Sequence, residues 1–549
     1  MIKKLVKNKF LNEKPTQSVA AAAFIISLAG IASRILGVIR DRILAGNFGA
    51  GDTLDAYYAA FRIPDTLYNL LVLGALSAAF IPVFTELVSK KNEEKAWRMA
   101  SGILMLQVCA MTLLAIIFAV FAPFFIKLIT PGFSPEKMQT TVMFTRIMFL
   151  SPIFLGISAI FGGILVSFKK FLAYSIAPII YNIGIIIGAV VLVPMMGTVG
   201  LAWGVVLGAF MHMLIQYPAA KISGFSLQGS IREALVDKGV RHVLRLMIPR
   251  AMSIAVTQVN FLVITIFAST LAAGSLAVFN FANNIQSAPL GLFGVSFAIA
   301  IFPTLSSYAA LENKEEFVKV FSKTVRQVLF FVIPVSVLIF VLRAQIVRVL
   351  LGSGKFDWED TILTFQTLGF LAISLFAQSL IPLLTRSFYA LQNTKTPFYI
   401  ALVSEAVNIL AVIFLIGRFQ VVGLAIAFSL ASVVNMLLLI YFLRKQLQTV
   451  DARKIFNSAG KIVVASVIAG IGAQGSKYLI GSQGELDTFL RVFTQLVFAS
   501  VIGGGLFSLV SYYLKSEEFF KFTHSVTRKV FKVKKTIQED TAEVTGINH

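Results

Sequence analysis

Charge is the scarcest commodity in this chain: only 13% of its 549 residues are Asp, Glu, Lys or Arg. Soluble domains carry about 25%, so a water-facing globular fold is excluded. A hydrophobic content of 57%, with 50 Phe and a mean hydropathy of +0.84, fits an integral membrane protein instead. The one cysteine, Cys109, excludes disulfides and thiolate metal sites and reads as a small core residue in an apolar helix. The four histidines, His212, His242, His524 and His549, have no metal-like spacing with acids. There is no P-loop and no GxSxG elbow, which argues against an ATP-driven pump or a serine hydrolase. No polar segment is longer than a few tens of residues, so the acidic catalytic loop of a membrane glycosyltransferase has no place to sit. Short alternating strands are missing too, which argues against a closed barrel.

What is present is a series of long apolar runs. A spanning helix needs about 20 apolar residues. Fourteen stretches qualify, near 19–45, 54–88, 96–129, 138–168, 171–195, 199–220, 243–271, 275–310, 317–350, 359–391, 396–416, 421–443, 459–481 and 487–514. The reading is an all-α polytopic membrane protein. A net charge of +22 could suggest nucleic acid, but its distribution does not. Basic residues cluster at 3–14, 90–98, 169–170, 221–245, 314–326, 386–395, 444–461 and 515–535, on alternate sides of successive spans. The loops between, near 46–52, 130–137, 194–198, 272–275, 351–358, 417–420 and 482–486, are poor in them. This positive-inside pattern places both termini in the cytoplasm. Lysines before 19–28 and a cleavage-like Gly30-Ile31-Ala32 suggest a signal peptide, but the apolar run continues well past them and reads as a retained first helix.

The sequence repeats. Ala79-Phe80-Ile81-Pro82 is echoed by Ala300-Ile301-Phe302-Pro303, and Val199-Gly200-Leu201-Ala202 by Val422-Gly423-Leu424-Ala425, offsets of 221 and 223 residues. Two six-helix lobes follow, 19–222 and 243–446, joined by a cytoplasmic linker at 223–242 and preceded by a basic N-terminus at 1–18. Both lobes begin on the same side, so they are expected to be parallel repeats related by a pseudo-two-fold along the membrane normal, an arrangement typical of transporters. Two further helices occupy 447–514, and a basic tail 515–549 carries Phe519, Phe522, Val526, Val530 and Val533 on one helical face, suited to anionic lipid.

Charge inside the first two spans is the functional signal. Arg34 lies about 20 Å along the first helix, too deep to reach an interface easily. Arg34, Gly37 and Asp41 share a face, with Arg40 turned about 120° away. Gly37 is a candidate bend. Arg40 and Arg42 have an alternative reading as side chains reaching the outer interface. The second span carries Asp55, Arg62, Pro64 and Asp65; Pro64 is a candidate hinge that frees a carbonyl, tolerated where water or other groups satisfy it. Asp55 and Asp65 either line a wet site or pair with the arginines. In the eleventh span Glu405 and Asn408 share a face and form a candidate coupling site for a cation or proton; the alternative is a protonated, hydrogen-bonded Glu405. Gly503-Gly504-Gly505 is read as a close helix-packing site.

Ser33-Arg34-Ile35-Leu36-Gly37-Val38-Ile39-Arg40-Asp41, then Phe48-Gly49-Ala50-Gly51, Asp55-Ala56, Phe61-Arg62-Ile63-Pro64 and the run from Gly74 to Pro82, resembles the MviN/MurJ family of lipid II flippases in the multidrug/oligosaccharidyl-lipid/polysaccharide exporter superfamily. Pro289-Leu290-Gly291-Leu292-Phe293-Gly294 is similar to that family's eighth helix. The resemblance implies a flippase in the bacterial plasma (inner) membrane. It would carry lipid II, an undecaprenyl-pyrophosphate-linked peptidoglycan precursor, from the cytoplasmic to the outer leaflet by alternating access. It implies a cationic central cavity, with Arg34, Arg40 and Asp55 at matching motif positions, and a lipid-tail groove on the last two helices; Asp41, Arg62, Asp65 and Asn284 join them as candidate substrate-binding residues. It implies no catalytic residue, no resident cofactor or metal, coupling to a Na+ or H+ gradient or the membrane potential, and membrane lipids and cell-wall synthesis proteins as partners. Tyr68, Leu73, Asn283-Asn284 and Ser287 stand where many members carry charge, lost in opposite-sign pairs. The alternatives are a flippase for another polyprenyl-pyrophosphate-linked oligosaccharide, or a non-transporting envelope-assembly scaffold.

Overall fold

The computed structural model describes residues 19–481 and 488–524. The basic N-terminus, the 482–487 stretch, and the tail beyond 524 with Val526, Val530 and Val533 lie outside the described residues. All described secondary structure is helical. The α-helices are α1 (Val19–Phe48), α2 (Asp52–Tyr68), α3 (Gly74–Ser89), α4 (Glu93–Val120), α5 (Ala122–Ile129), α6 (Pro135–Met148) and α7 (Leu150–Ser167). They continue as α8 (Leu172–Ile187), α9 (Val193–Met196), α10 (Val199–Ile222), α11 (Ile231–Val236), α12 (Lys238–Ser269), α13 (Ser275–Pro289) and α14 (Ser296–Ala310). The remainder are α15 (Lys314–Leu350), α16 (Trp358–Ile373), α17 (Leu375–Ala390), α18 (Lys395–Leu447), α19 (Ala452–Gly481) and α20 (Phe489–Tyr513).

Among the described residues nine helical spans are long and apolar enough to cross a bilayer, or ten if α16 and α17, bent by 46°, form one. The fourteen stretches of the sequence do not map one to one onto these spans. The eleventh and twelfth stretches share the 53-residue α18, which runs through a non-helical Gln420 at φ 51° and ψ −133°.

Wide π-helical turns interrupt the ladder at Asn69–Leu73, Gly188–Leu192 and Leu290–Val295. The first and third begin 221 residues apart, the same offset as Ala79 and Ala300. The duplication seen in the sequence therefore extends to a local backbone irregularity.

By packing, the chain forms two compact units. Unit 1 comprises 1–281, 350–364 and 412–424; unit 2 comprises 282–349, 365–411 and 425–549. In unit 1, α8 and α10 meet backbone to backbone. A Cβ on Gly184 would stand 2.2 Å from the Gly208 Cα, and one on Gly188 2.5 Å from that of Gly204. Glycines at four-residue spacing permit this approach, and dispersion across the contact stands in for a hydrophobic force that lipid does not supply. At one end Phe80, Phe84, Trp97, Phe161, Phe168 and Phe225 form a linked ring cluster. Helix α12 packs along α3 and the 69–73 turn within this unit, although the sequence repeat starts its second half there.

Unit 2 is organised on α15. Leu342 packs with Ala473 of α19 and Ala499 of α20. A Cβ on Gly503 would lie 2.6 Å from Leu338 Cδ2, so that glycine is indeed a packing site. Gly504 and Gly505 have nothing within 4 Å of an added Cβ, which corrects the expectation for those two. After α20 the chain doubles back onto α15: half-buried Arg326 donates to both Glu517 and Glu518 at 2.7 Å, and Phe522 meets Phe330 and Phe331.

Candidate functional site

Unit 1 gathers Arg34, Gly37, Arg40, Asp41, Asp55, Arg62, Pro64 and Asp65 on two adjacent helices. Helix α1 is continuous through Gly37 and α2 through Pro64; the backbone departs from α geometry only at Asn69. Asn182 of α8 fixes the charged face of α1. Its Nδ2 donates to the Ser33 carbonyl and hydroxyl at 3.4 Å, and its Oδ1 accepts from Arg40 Nη1 at 3.0 Å. Arg40 also donates from Nε and Nη2 to Asp41 Oδ1, at 3.0 and 2.8 Å. Asp41 is buried, so this pair is shielded from water and its geometry is fixed. Arg34 lies at the edge of that face, exposed beside Ile31, Ile35 and Val38.

Arg62 is held differently. Its Nε donates to Thr265 Oγ1 of α12 at 2.9 Å, its Nη2 to Asn280 Oδ1 of α13 at 2.7 Å, and the guanidinium lies 5.3 Å from the Phe261 ring centre. Among the described residues it forms no ion pair within 4 Å, and Nη1 has no hydrogen-bond acceptor. Asp65, one turn on, is within electrostatic reach and opens onto a small recess lined by Phe61, Pro64, Tyr68, Ser151 and Pro152. Between the two arginines, Tyr58 is braced by edge contacts with Tyr57 and Phe281, and its hydroxyl is buried with no partner among the described residues. The three guanidiniums, Arg34, Arg40 and Arg62, outnumber the carboxylates Asp41 and Asp65 by one. The donor capacity left on Arg62 can serve an oxyanion.

Asp55 does other work. It is 1% exposed; Oδ2 accepts from Lys137 Nζ and the Gly274 N–H at 2.8 Å, and Oδ1 from the Ala277 N–H at 2.9 Å. It thus caps α13 from another helix, satisfying orphan N–H groups and placing negative charge at the positive end of the helix dipole. Its cationic partner is Lys137 rather than an arginine. Lys137 also reaches Asp52 at 2.7 Å and lies over the Phe133 ring. Neighbouring contacts join the same loops: Asp360 accepts from the Ala50 N–H at 2.8 Å, and the Lys355 N–H donates to Gly46 O at 2.8 Å. Gly274 adopts φ +88°, and a Cβ there would stand 1.9 Å from Ala50 O, so the approach requires glycine.

Asn284, Glu405 and Asn408 fall in unit 2. The Asn284 carbonyl accepts from Ser287 Oγ at 2.8 Å, and neighbouring Asn283 is joined through Gln286 to Gln378. Asn408 Nδ2 donates to Glu405 Oε1 at 3.3 Å; both residues are buried, and Asn408 Oδ1 has no donor among the described residues. Asn182, Lys137, Thr265, Asn280 and Tyr58 were not singled out by sequence; a polar residue within an apolar run is the only signal four of them give.

A family profile described as lipid II flippase MurJ matches residues 44–511. A probable lipid II flippase MurJ of Bdellovibrio bacteriovorus is 30% identical over 518 residues, covering 93% of this chain and 97% of its own. Another, from Buchnera aphidicola, is 29% identical over 500 residues, covering 90% and 97%. A solved structure described as lipid II flippase MurJ in an inward closed conformation superposes with a TM-score of 0.73 at 26% identity, over 89% of this chain and 99% of that one. With its many apolar helices this is a multi-pass inner-membrane protein, and the chain belongs to the lipid II flippase MurJ family.

Proposed function

We propose that the chain translocates lipid II from the cytoplasmic to the outer leaflet, as a transporter and not an enzyme, with two six-helix lobes alternating access. Arg62 carries the proposal: a guanidinium within the membrane, positioned by neutral groups, with donor capacity left over. A pyrophosphate would find there the planar fork that arginine offers to phosphate oxygens. The polyprenyl tail stays in lipid while the polar headgroup crosses within protein, which avoids the cost of carrying it through hydrocarbon. The alternating pattern of basic loops supports cytoplasmic termini. On that orientation the Asp55–Lys137 cluster lies at the outer end.

The test is translocation of labelled lipid II in vesicles holding the purified protein. Arg62→Ala is expected to slow it at least tenfold. Arg62→Lys should recover little, because an ammonium cannot reproduce the fork that joins Thr265 and Asn280. A wild-type rate in both variants would end the proposal. Transport of another polyprenyl-linked glycan by a wild type that ignores lipid II would change the cargo, an outcome that Asn283-Asn284 and Tyr68 make worth measuring. Glu405 and Asn408 form the proposed coupling site, supported by the idle Asn408 oxygen beside a buried carboxyl group. Rates of Glu405→Gln that match wild type under every ion gradient would remove it.

A further inference from the structure

Unit 2 contains two cations that neither the proposed translocation site nor the coupling site uses. Arg343 of α15 and Lys477 of α19 bond to adjacent carbonyls of one helical turn: Arg343 Nη1 donates to Phe340 O, and Lys477 Nζ to Val341 O at 3.0 Å. These are helix carbonyls, already engaged in the backbone ladder, and weak substitutes for an anion. No carboxylate among the described residues pairs with either side chain, and the two like charges are near enough to repel. Both are seated rather than loose. The Arg343 guanidinium lies 4.6 Å from the Phe340 ring centre and 5.7 Å from that of Phe365. Gly369 clears space for its stem: a Cβ there would be 3.0 Å from Arg343 Cδ. Behind Lys477, its carbonyl accepts from Gln495 Nε2, whose Oε1 accepts from Gln345 Nε2, both at 2.9 Å. Gln345 Oε1 is buried without a donor.

Their depth identifies the ligand class. Arg343 lies seventeen residues beyond Arg326 on α15, about 25 Å along the axis. Arg326 is tied to the charged segment after α20, which the proposed orientation puts at the cytoplasmic surface. A hydrocarbon core of about 30 Å then brings Arg343 and Lys477 to the headgroup level of the opposite leaflet. We infer that Arg343 and Lys477 form a binding site for the phosphate of a lipid headgroup in the outer leaflet, beside the last two helices. One oxyanion between them relieves the mutual repulsion and replaces two poor acceptors. The choice of leaflet rests on the proposed orientation; the phosphate chemistry does not. The phosphate belongs either to bulk anionic phospholipid or to the delivered polyprenyl pyrophosphate.

The experiment is equilibrium lipid binding to the full chain in phosphatidylcholine nanodiscs, titrated with phosphatidylglycerol or undecaprenyl pyrophosphate and read by native mass spectrometry. The double variant Arg343→Gln with Lys477→Gln is expected to bind one or both probes at least tenfold more weakly, and the charge-keeping Lys477→Arg to bind as wild type. Loss confined to undecaprenyl pyrophosphate assigns the site to cargo; loss confined to phosphatidylglycerol assigns it to bulk lipid; loss of both assigns it to lipid phosphate generally. Affinities within twofold of wild type for both probes overturn the inference. Should the double variant not purify, Lys477→Met compared with Lys477→Arg decides on the same criterion. Because the readout is binding, a chain that moves no lipid II can still show it, so the two readings fail separately.

Discussion

Removing the Asp55 carboxylate tests whether one side chain holds the loop cluster together. Asp55→Ala deletes three charge-assisted hydrogen bonds, leaves the Gly274 and Ala277 N–H groups facing a dry gap, and strips Lys137 of its buried partner. Breaking a buried ion pair by removing one member costs about 3–5 kcal/mol, and hydrogen bonds to a charged group contribute about 1.5–3 kcal/mol each. One feature moderates the total: Lys137 keeps Asp52, whose side chain is 66% exposed. The expected loss is about 3 kcal/mol. Lys137→Met should cost less, about 1–2 kcal/mol, because Asp55 retains both backbone donors. A double-mutant cycle, measured by reversible SDS unfolding in mixed micelles, should return a coupling of about 1–2 kcal/mol. A coupling indistinguishable from zero, or an Asp55→Ala protein as stable as wild type, would refute the claim that the pair and the cap hold α13 to α2 and α6.

Gly204→Val, which forces a side chain into a backbone contact only 2.5 Å from the Gly188 Cα, should destabilise the α8–α10 pair by about 1–3 kcal/mol or more in the same assay, whereas Gly505→Ala, in open space, should fall within about 0.5 kcal/mol of wild type. The post-α20 segment should release from α15 in acid. Hydrogen bonds from Lys521 and Arg326 hold the Glu517 carboxyl down to about 2, below its ordinary 4.5. A depressed carboxylate stabilises the docked form above its ordinary value, and that contribution is lost as pH falls through the window from about 4.5 to 2. Hydrogen exchange across 516–524 should therefore speed up over that window in wild type and lose this pH dependence in Glu517→Gln.

The charges at depth were legible because an arginine or aspartate in an apolar run has few innocent explanations: Arg40, Asp41, Asp55 and Arg62 all prove to be structurally engaged. Their partners were not legible. Asn182 lies 142 positions from Arg40 and Thr265 203 from Arg62, and neutral amides and hydroxyls in membrane helices carry no signature of whom they meet. Lys137 was hidden by its setting, a lone cation in a loop whose poverty in basic residues was itself the topological clue. Asp55 choosing Lys137 over an arginine depends on the α5–α6 turn folding back, which no local pattern specifies. The glycine rows 184, 188 and 200, 204, 208 did carry a readable four-residue rhythm, while the consecutive glycines 503–505 drew attention and only one of them meets a neighbour. The duplication was readable, whereas the compact units cut through α13, α16 and α18 because contact follows packing and not ancestry.

The matched wide turns at 69–73 and 290–295 have a consequence for how these helices respond to mutation. A π turn accommodates one surplus residue, so everything beyond it is rotated by about 100° from the direction an unbroken α-helix would give. Excising a single residue from 69–73 would reset α3 to that other bearing and turn the Phe80 and Phe84 rings away from Trp97, while leaving Arg62 and Asp65 untouched. The same phase slip recurs in both halves of a duplicated chain, and in the first half it is the joint at which Arg62 and Asp65 take their heading independently of the aromatic anchor.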